Sequence, residues 1–262
     1  QLMRAVRWLT EVQGETGLYG EETGNTTLYN HGIATYAMAE ALVLSPEEAE
    51  LRESVARAVS LILRARNPYT VWRYSLEPNG DNDTSVTSWM VLALRAAYDA
   101  GVDVPADVFR DAEDWLDTMT DARGRCGYNM ESGAGSRPPR PRVRLESHPP
   151  EQTESLTAAA LFCRMLMPAA AGLEQWQDHP KVGIMSKHAK LLRACLPRWT
   201  EDGSSCDFYY WYMGTMAASE WGGKTWKLWR PAVEAALVGQ QRRGEDAGAL
   251  RGGQEVGLGT DP

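Results

Sequence analysis

Cysteine and phenylalanine are scarce in this chain, at 4 and 3 of its 262 residues. Cys126, Cys163, Cys195 and Cys206 are too few and too scattered for a disulfide scaffold, and no CxxC pair offers half of a zinc site. Free thiols are expected, with a Cys195 to Cys206 bridge as the alternative. No run of about 18 apolar residues occurs, so no membrane-spanning helix is expected. No signal-peptide pattern opens the chain. Its first residue is Gln1, and the expectation is a chain trimmed or cut from a longer one. An excess of positive charge is also missing. With 27 Lys+Arg against 35 Asp+Glu the net charge is −8, which supplies no general basic surface for nucleic acid or anionic lipid. Neither partner is expected.

What is present is 43% hydrophobic residues, enough to bury a substantial core, with ten tryptophans and ten tyrosines. Rings that carry an N–H or O–H each want a polar partner, which favours a ligand-accessible interior over a wholly dry one. The main signal is a repeat. AVRWLTEVQ from Ala5, AVSLILRAR from Ala58 and AEDWLDTMT from Ala112 align without gaps, 53 and 54 residues apart. AKLLRACLP from Ala189 and AVEAALVGQ from Ala232 restore the same pattern. Each has the apolar spacing of an amphipathic helix. Gly/aromatic turns follow at GLYG (17–20), VWRY (71–74) and GRCGY (124–128), with Tyr19, Tyr74 and Tyr128 in register. A second, more apolar helix then begins at His31, Thr84, Glu154 and Asp207. These have few charges on any face and should be buried on nearly all sides.

The unit is therefore a helical hairpin, and hairpins of this kind bury their second helices against their neighbours. An all-α fold is expected, an α/α toroid of repeated hairpins with a period near 53 residues, incomplete at its ends. The expected limits are a repeat domain over 1–244 and a flexible Gly-rich tail over 245–262. Within the domain a Pro/Arg-rich loop insertion spans 133–151, where Arg137, Arg140, Arg142 and Arg144 form the one basic cluster.

LYNHGIATYAMAEAL, VWRYSLEPNGDNDTSVTSWMVLALRAA, GRCGY and DFYYWYMGTMAASEWGGKTWKLW together resemble the α/α-toroid superfamily of terpenoid cyclases, protein prenyltransferase β subunits and thioester domains. The likeness is nearest to bacterial prenyltransferase/squalene-oxidase repeat proteins. It implies the toroid and a central cavity that takes an isoprenoid or another apolar substrate. The family's chemistry maps onto this chain incompletely. Squalene-type cyclases carry an Asp-x-Asp-Asp-Thr-Ala stretch in which a protonated acid protonates an alkene. Aligned on Asp83, that stretch puts Asn82 at the middle acid and Gly80 at the first. Prenyltransferases bind zinc through an Asp-x-Cys and a His. Here Asp83 is kept, but Ser85 and Tyr210 stand at the thiol and imidazole positions, so no metal site is expected. The thioester motif Cys-Gly-Glu-Gln is reduced to GLEQ at 172–175.

In such a ring the second helices run the same way and their N-termini meet at one mouth, where partial positive charge and free N–H groups suit a ligand. Tyr29, His31, Asp83, Ser85, Trp89, Glu154, Asp207, Tyr209 and Tyr210 are the candidate ligand-binding residues. Asp81, Asp83, His31 and Asp207 are the candidates for any remaining catalysis. The plain alternative makes Asn30, Asp83 and Asp207 ordinary helix caps and His31 a core histidine. Two functions follow. One is a catalytically degenerate domain that binds an apolar small molecule or a peptide in its cavity, or a protein partner, with no cofactor. The other is a cyclase- or prenyltransferase-like enzyme with a non-standard site.

Overall fold

The structure is a computed structural model, and it describes residues 2–129, 153–167, 175–200 and 206–241. The Arg/Pro-rich segment 133–151, residues 172–174 of the GLEQ stretch and the tail from 245 lie outside them. Among the described residues the chain is all-α. It has nine α-helices, two short 3-10 turns and no strand beyond an isolated bridge between Gln13 and Tyr19. None of the helices is long and apolar enough to cross a membrane.

Every segment with helical periodicity forms a helix. The first helices of the repeats are α1 (Leu2–Glu11), α3 (Ala49–Ala65), α5 (Asp107–Met119), α7 (Val182–Ala194) and α9 (Gly223–Val238). The second helices are α2 (Thr27–Leu44), α4 (Thr84–Asp99), α6 (Ser155–Leu166) and α8 (Phe208–Trp221). Helix α3 shows why the first class is amphipathic. It buries Leu51, Ser54, Val55, Ala58, Val59, Ile62 and Ala65, which recur every three or four residues along one face. Helix α4 has no polar face at all, and residues 83–94 are buried without interruption. The opening of α6 is likewise wholly buried. Burial of α2 and α8 is less complete. Ile33, Val43 and Leu44 on α2 and Phe208 and Tyr212 on α8 are exposed.

By its contacts the chain divides into two compact units, one built mainly from residues 1–120 and 163–182, the other from 121–128, 132–162 and 183–262. In the first, α2 packs on α3 and α4, and α4 packs also on α5. Gly32 permits the α2–α4 approach, since a Cβ there would lie 2.2 Å from the Met90 methyl. In the second, α8 packs on α9, and Gly214 makes room for the indole of the fully buried Trp229.

The turns after α1, α3 and α5 share one backbone pattern. In each, two backbone bonds recur: Gly14 N–H to Leu18 O and Gly17 N–H to Gly14 O, then Asn67 to Val71 and Thr70 to Asn67, then Asp121 to Arg125 and Gly124 to Asp121. Two residues beyond each turn, a backbone N–H donates to a side chain of the following helix. Tyr19 donates to His31 Nδ1 (3.2 Å), Trp72 to Thr87 Oγ1 (3.5 Å) and Cys126 to Thr157 Oγ1 (3.2 Å). The register of the repeat is thus 19, 72 and 126, and the tyrosine alignment 19, 74 and 128 is corrected accordingly.

Candidate functional site

In the first unit the stretch NGDND is organised by Asn67, which is 3% exposed. Its Oδ1 accepts the N–H groups of Asn79 and Gly80, both at 2.8 Å, and its Nδ2 donates to Asp81 O at 2.7 Å and Asn82 Oδ1 at 3.1 Å. Asn82 closes the loop from the other side. Its Oδ1 accepts Val71 N–H at 3.3 Å and its Nδ2 donates to Gly80 O at 3.0 Å. The amide of Asn82 accepts on its oxygen and donates from its nitrogen, and an ionised aspartate, which only accepts, would lose the bond to Gly80 O.

The loop delivers Asp83 to the start of α4. Its N–H donates to Trp72 O (3.0 Å) and its Oδ1 accepts Val86 N–H (2.8 Å), so the expected N-cap is present. Its Oδ2 lies 3.6 Å from Arg73 Nε, and Arg73 Nη1 lies 3.6 Å from Asp81 Oδ2. Asp83 is fully buried while Asp81 is exposed, so one guanidinium bridges a buried carboxylate and a surface one. The same guanidinium carbon sits 5.0 Å from the centre of the Tyr74 ring, which packs at 6.1 Å from Tyr29. Ser85 and Trp89 are buried within α4, and Thr84 Oγ1 accepts the Trp115 indole N–H at 3.2 Å. Beside this cluster opens a cleft of about 550 Å³, lined by Arg64, Arg73, Tyr74, Glu77 and Asp81 together with Glu22 and Asn25 from the loop before α2.

His31 is placed differently from the cap residues. Helix α2 begins at Thr27, four residues earlier than the sequence suggested, so Asn30 lies inside the helix and is not its N-cap. The turn Gly24–Thr26 tightens the chain first, and the hydroxyl of Thr26 bonds that of Thr23 just before it. His31 is buried, and both its ring nitrogens are engaged. Nδ1 accepts the Tyr19 N–H, and Nε2 lies 3.1 Å from Ala58 O. A backbone N–H can only donate and a carbonyl can only accept, so the proton sits on Nε2. Burial pushes its pKa down to about 4, against the weaker pull of the Ala58 carbonyl. The imidazole is held neutral as a bracket between the turn and α3.

In the second unit the remaining candidates form another cluster of capped carboxylates. Asp207 Oδ1 accepts Tyr210 N–H (3.0 Å) and its Oδ2 accepts the Thr153 hydroxyl (2.7 Å). Glu154 is gripped by Arg125 and accepts the Thr157 hydroxyl at 2.7 Å. Tyr210 is buried, its hydroxyl donates to Cys195 O at 2.5 Å, and its ring meets Trp229 edge-on. Burial first, and then the nearby thiol and carboxylates, raise its pKa well above the usual tyrosine value. Tyr209 is half-buried beside it. None of the four cysteines is in a disulfide, so the Cys195 to Cys206 bridge is not formed, and burial lifts the Cys195 thiol to about 11.

The sequence reading missed the residues that hold the candidates: Asn67, Arg73 and Arg125. It also missed a charged cluster in which fully buried Arg164 pairs with Glu113 (3.2 Å) and Asp117 (2.8 Å). His179 and Lys181 complete that cluster by pairing with the same carboxylates. A lone arginine within the apolar AAALFCRML was the available signal. Among the described residues no group of three or more His, Cys, Asp or Glu side chains is placed to hold a metal ion. The candidate carboxylates are engaged as hydrogen-bond acceptors and ion-pair partners, an arrangement suited to holding loops and helix starts in place. Comparison with protein-family models and with curated proteins finds no match.

Proposed function

We propose that this chain is a catalytically degenerate α/α-toroid domain, related to the prenyltransferase/squalene-oxidase repeat proteins, that acts as a ligand- or partner-binding module. The observation that carries the reading is the Arg73 bridge. It engages Asp81 and Asp83 together at the position where a cyclase keeps its proton donor, while Asn82 latches the same loop. Proton donation to an alkene needs an acid presented to the substrate, and here both carboxylates face the Arg73 guanidinium instead. Beside the bridge a cleft remains, so the scaffold keeps a place to bind.

The test is incubation of the purified chain with squalene, farnesyl diphosphate and geranylgeranyl diphosphate, followed by product analysis. No conversion above buffer is expected, and none from Asn82→Asp, which restores the missing acid but loses the donor to Gly80. Conversion by the wild-type chain that disappears in Asp83→Asn would establish the enzyme reading instead.

A further inference from the structure

Two helices carry apolar stripes that face solvent. On α2, Ile33, Ala37, Glu40 and Leu44 are exposed and recur every three or four residues, so they lie along one face, with Leu44 75% exposed. On α9, Leu228, Pro231, Ala235 and Val238 do the same, with Val238 65% exposed. The solvent face of α3 is different, presenting Glu53, Arg57, Ser60 and Arg64. In stacked helical hairpins an apolar face is covered by a neighbouring helix, and an uncovered one marks a contact surface.

Charge distinguishes the two stripes. From Thr27 to Ala49 the chain has no Lys or Arg, while Glu40, Glu47 and Glu48 are exposed within and just beyond the C-terminal half of α2. Arg52 of α3 reaches this end, but its guanidinium donates to the carbonyls of Pro46, Ala100 and Gly101. On α9 the sign is reversed. Lys224 stands one turn before Leu228 on the same face and Lys227 stands beside it, both exposed, while Arg230 and Glu234 pair with each other at 2.7 Å. Helix α2 therefore ends acidic and α9 begins basic.

The two patterns match in one orientation. At a rise of 1.5 Å per residue the stripe on α2 spans about 16 Å and that on α9 about 15 Å. Laid antiparallel, Leu44 meets Leu228, Ala37 meets Ala235 and Ile33 meets Val238, with the small pair at the centre allowing a close approach. The same register brings Glu40 to Lys227, and Glu47 and Glu48 toward Lys224. It also sets the negative C-terminal end of one helix against the positive N-terminal end of the other. Parallel packing would separate these charges, and α2 laid on another α2 would crowd two Glu40 carboxylates together.

We infer that this chain associates with a second copy of itself, α9 of one copy lying antiparallel on α2 of the other. The inference goes beyond the binding-module reading and does not rest on it, since turnover of an isoprenoid would overturn that reading and leave this one standing. Sedimentation velocity of the full chain, from about 1 to 200 µM, tests it. The mean mass should rise with concentration, and raising the salt from about 0.05 to 0.5 M should weaken the association. Glu40→Lys and Lys227→Glu should each weaken it by about tenfold or more. Both side chains are exposed, so both variants should keep the wild-type melting temperature. An equimolar mixture of the two variants, in which each reversed charge again meets its opposite, should associate as the wild-type chain does. A chain that stays monomeric at the highest concentration overturns the inference, as does association that survives both substitutions or that mixing fails to restore. Binding of a monomeric chain to vesicles of anionic phospholipid, lost in Lys227→Glu, also overturns it and assigns the α9 stripe to a membrane surface.

Discussion

Asp83 shows how one carboxylate serves two structural purposes. Its Oδ1 caps α4 and its Oδ2 faces Arg73, and the side chain is fully buried. The cap was legible, because an Asp before a run of small hydroxyl residues and an apolar stretch is an N-terminal signature. The Arg73 partner was not, because it reaches the site through a turn whose geometry the sequence does not display. Asp83→Asn keeps an acceptor for Val86 N–H and loses the ion pair, so it should cost about 1 kcal/mol. Asp83→Ala loses both and leaves Arg73 and the Val86 N–H facing a void, so it should cost about 2–3 kcal/mol. Urea unfolding of the two variants checks the ordering, and equal losses would mean that the cap on Val86 N–H contributes nothing.

At the scale of elements, the helices were legible because their apolar spacing repeats in every hairpin, and α3 and α5 bury the faces that this spacing marks. The start of α2 was not, since TGNTTLYN holds several residues able to cap and the chain uses the 3-10 turn Gly24–Thr26 there. The turns between helices also carry a demand that composition alone conceals. Gly17 has φ +94°, and a Cβ there would lie 2.4 Å from Arg57 O on α3, whereas Gly20 has φ +80° with open space around it. Gly20→Ala should therefore cost about 1 kcal/mol for its backbone alone. Gly17→Ala adds a clash with helix backbone and should cost distinctly more, by roughly another 1–3 kcal/mol. Thermal unfolding of the pair measures the difference. Helix α6 supplies a second contrast. Its Arg164 is fully buried, but Glu113 and Asp117 keep 20% and 39% of their side-chain surface. Removing both acids strands a buried guanidinium and should cost about 3–5 kcal/mol, while Arg164→Met frees two carboxylates that water can reach and should cost about 1 kcal/mol or less. A larger loss for Arg164→Met than for the double Glu113→Ala, Asp117→Ala variant would show that the arginine stabilises the helix outright.

At the scale of the whole molecule, helix class, repeat period and turn positions were readable because each is a local pattern copied along the chain. The lining of the cleft beside Arg73 was not. It depends on which loop residues meet after folding, and on a latch, Asn67, that sits 12 to 15 residues from the groups it holds. Other buried groups, which titrate, set how stability responds to pH. His31 has a folded pKa of about 4 against 6.5 in an unfolded chain, so between those values the unfolded state binds the extra proton. Its contribution is fully present above pH 6.5 and is lost as pH falls toward 4, by about 3 kcal/mol in all at 1.36 kcal/mol per unit. Cys195 and Tyr19 act in the opposite sense. Burial raises them to about 11 and about 12 from 9.0 and 10.0, so their protonated forms favour the fold below pH 9, and that contribution drains away as pH rises through the folded values. Stability should therefore form a plateau between about pH 6.5 and 9 and decline on both sides. Urea midpoints from pH 4 to pH 11 trace it. In His31→Gln the loss between pH 6.5 and 4 should shrink by most of its size while the alkaline limb stays unchanged. An acid limb as steep as that of the wild-type chain would place the titrating group elsewhere than His31.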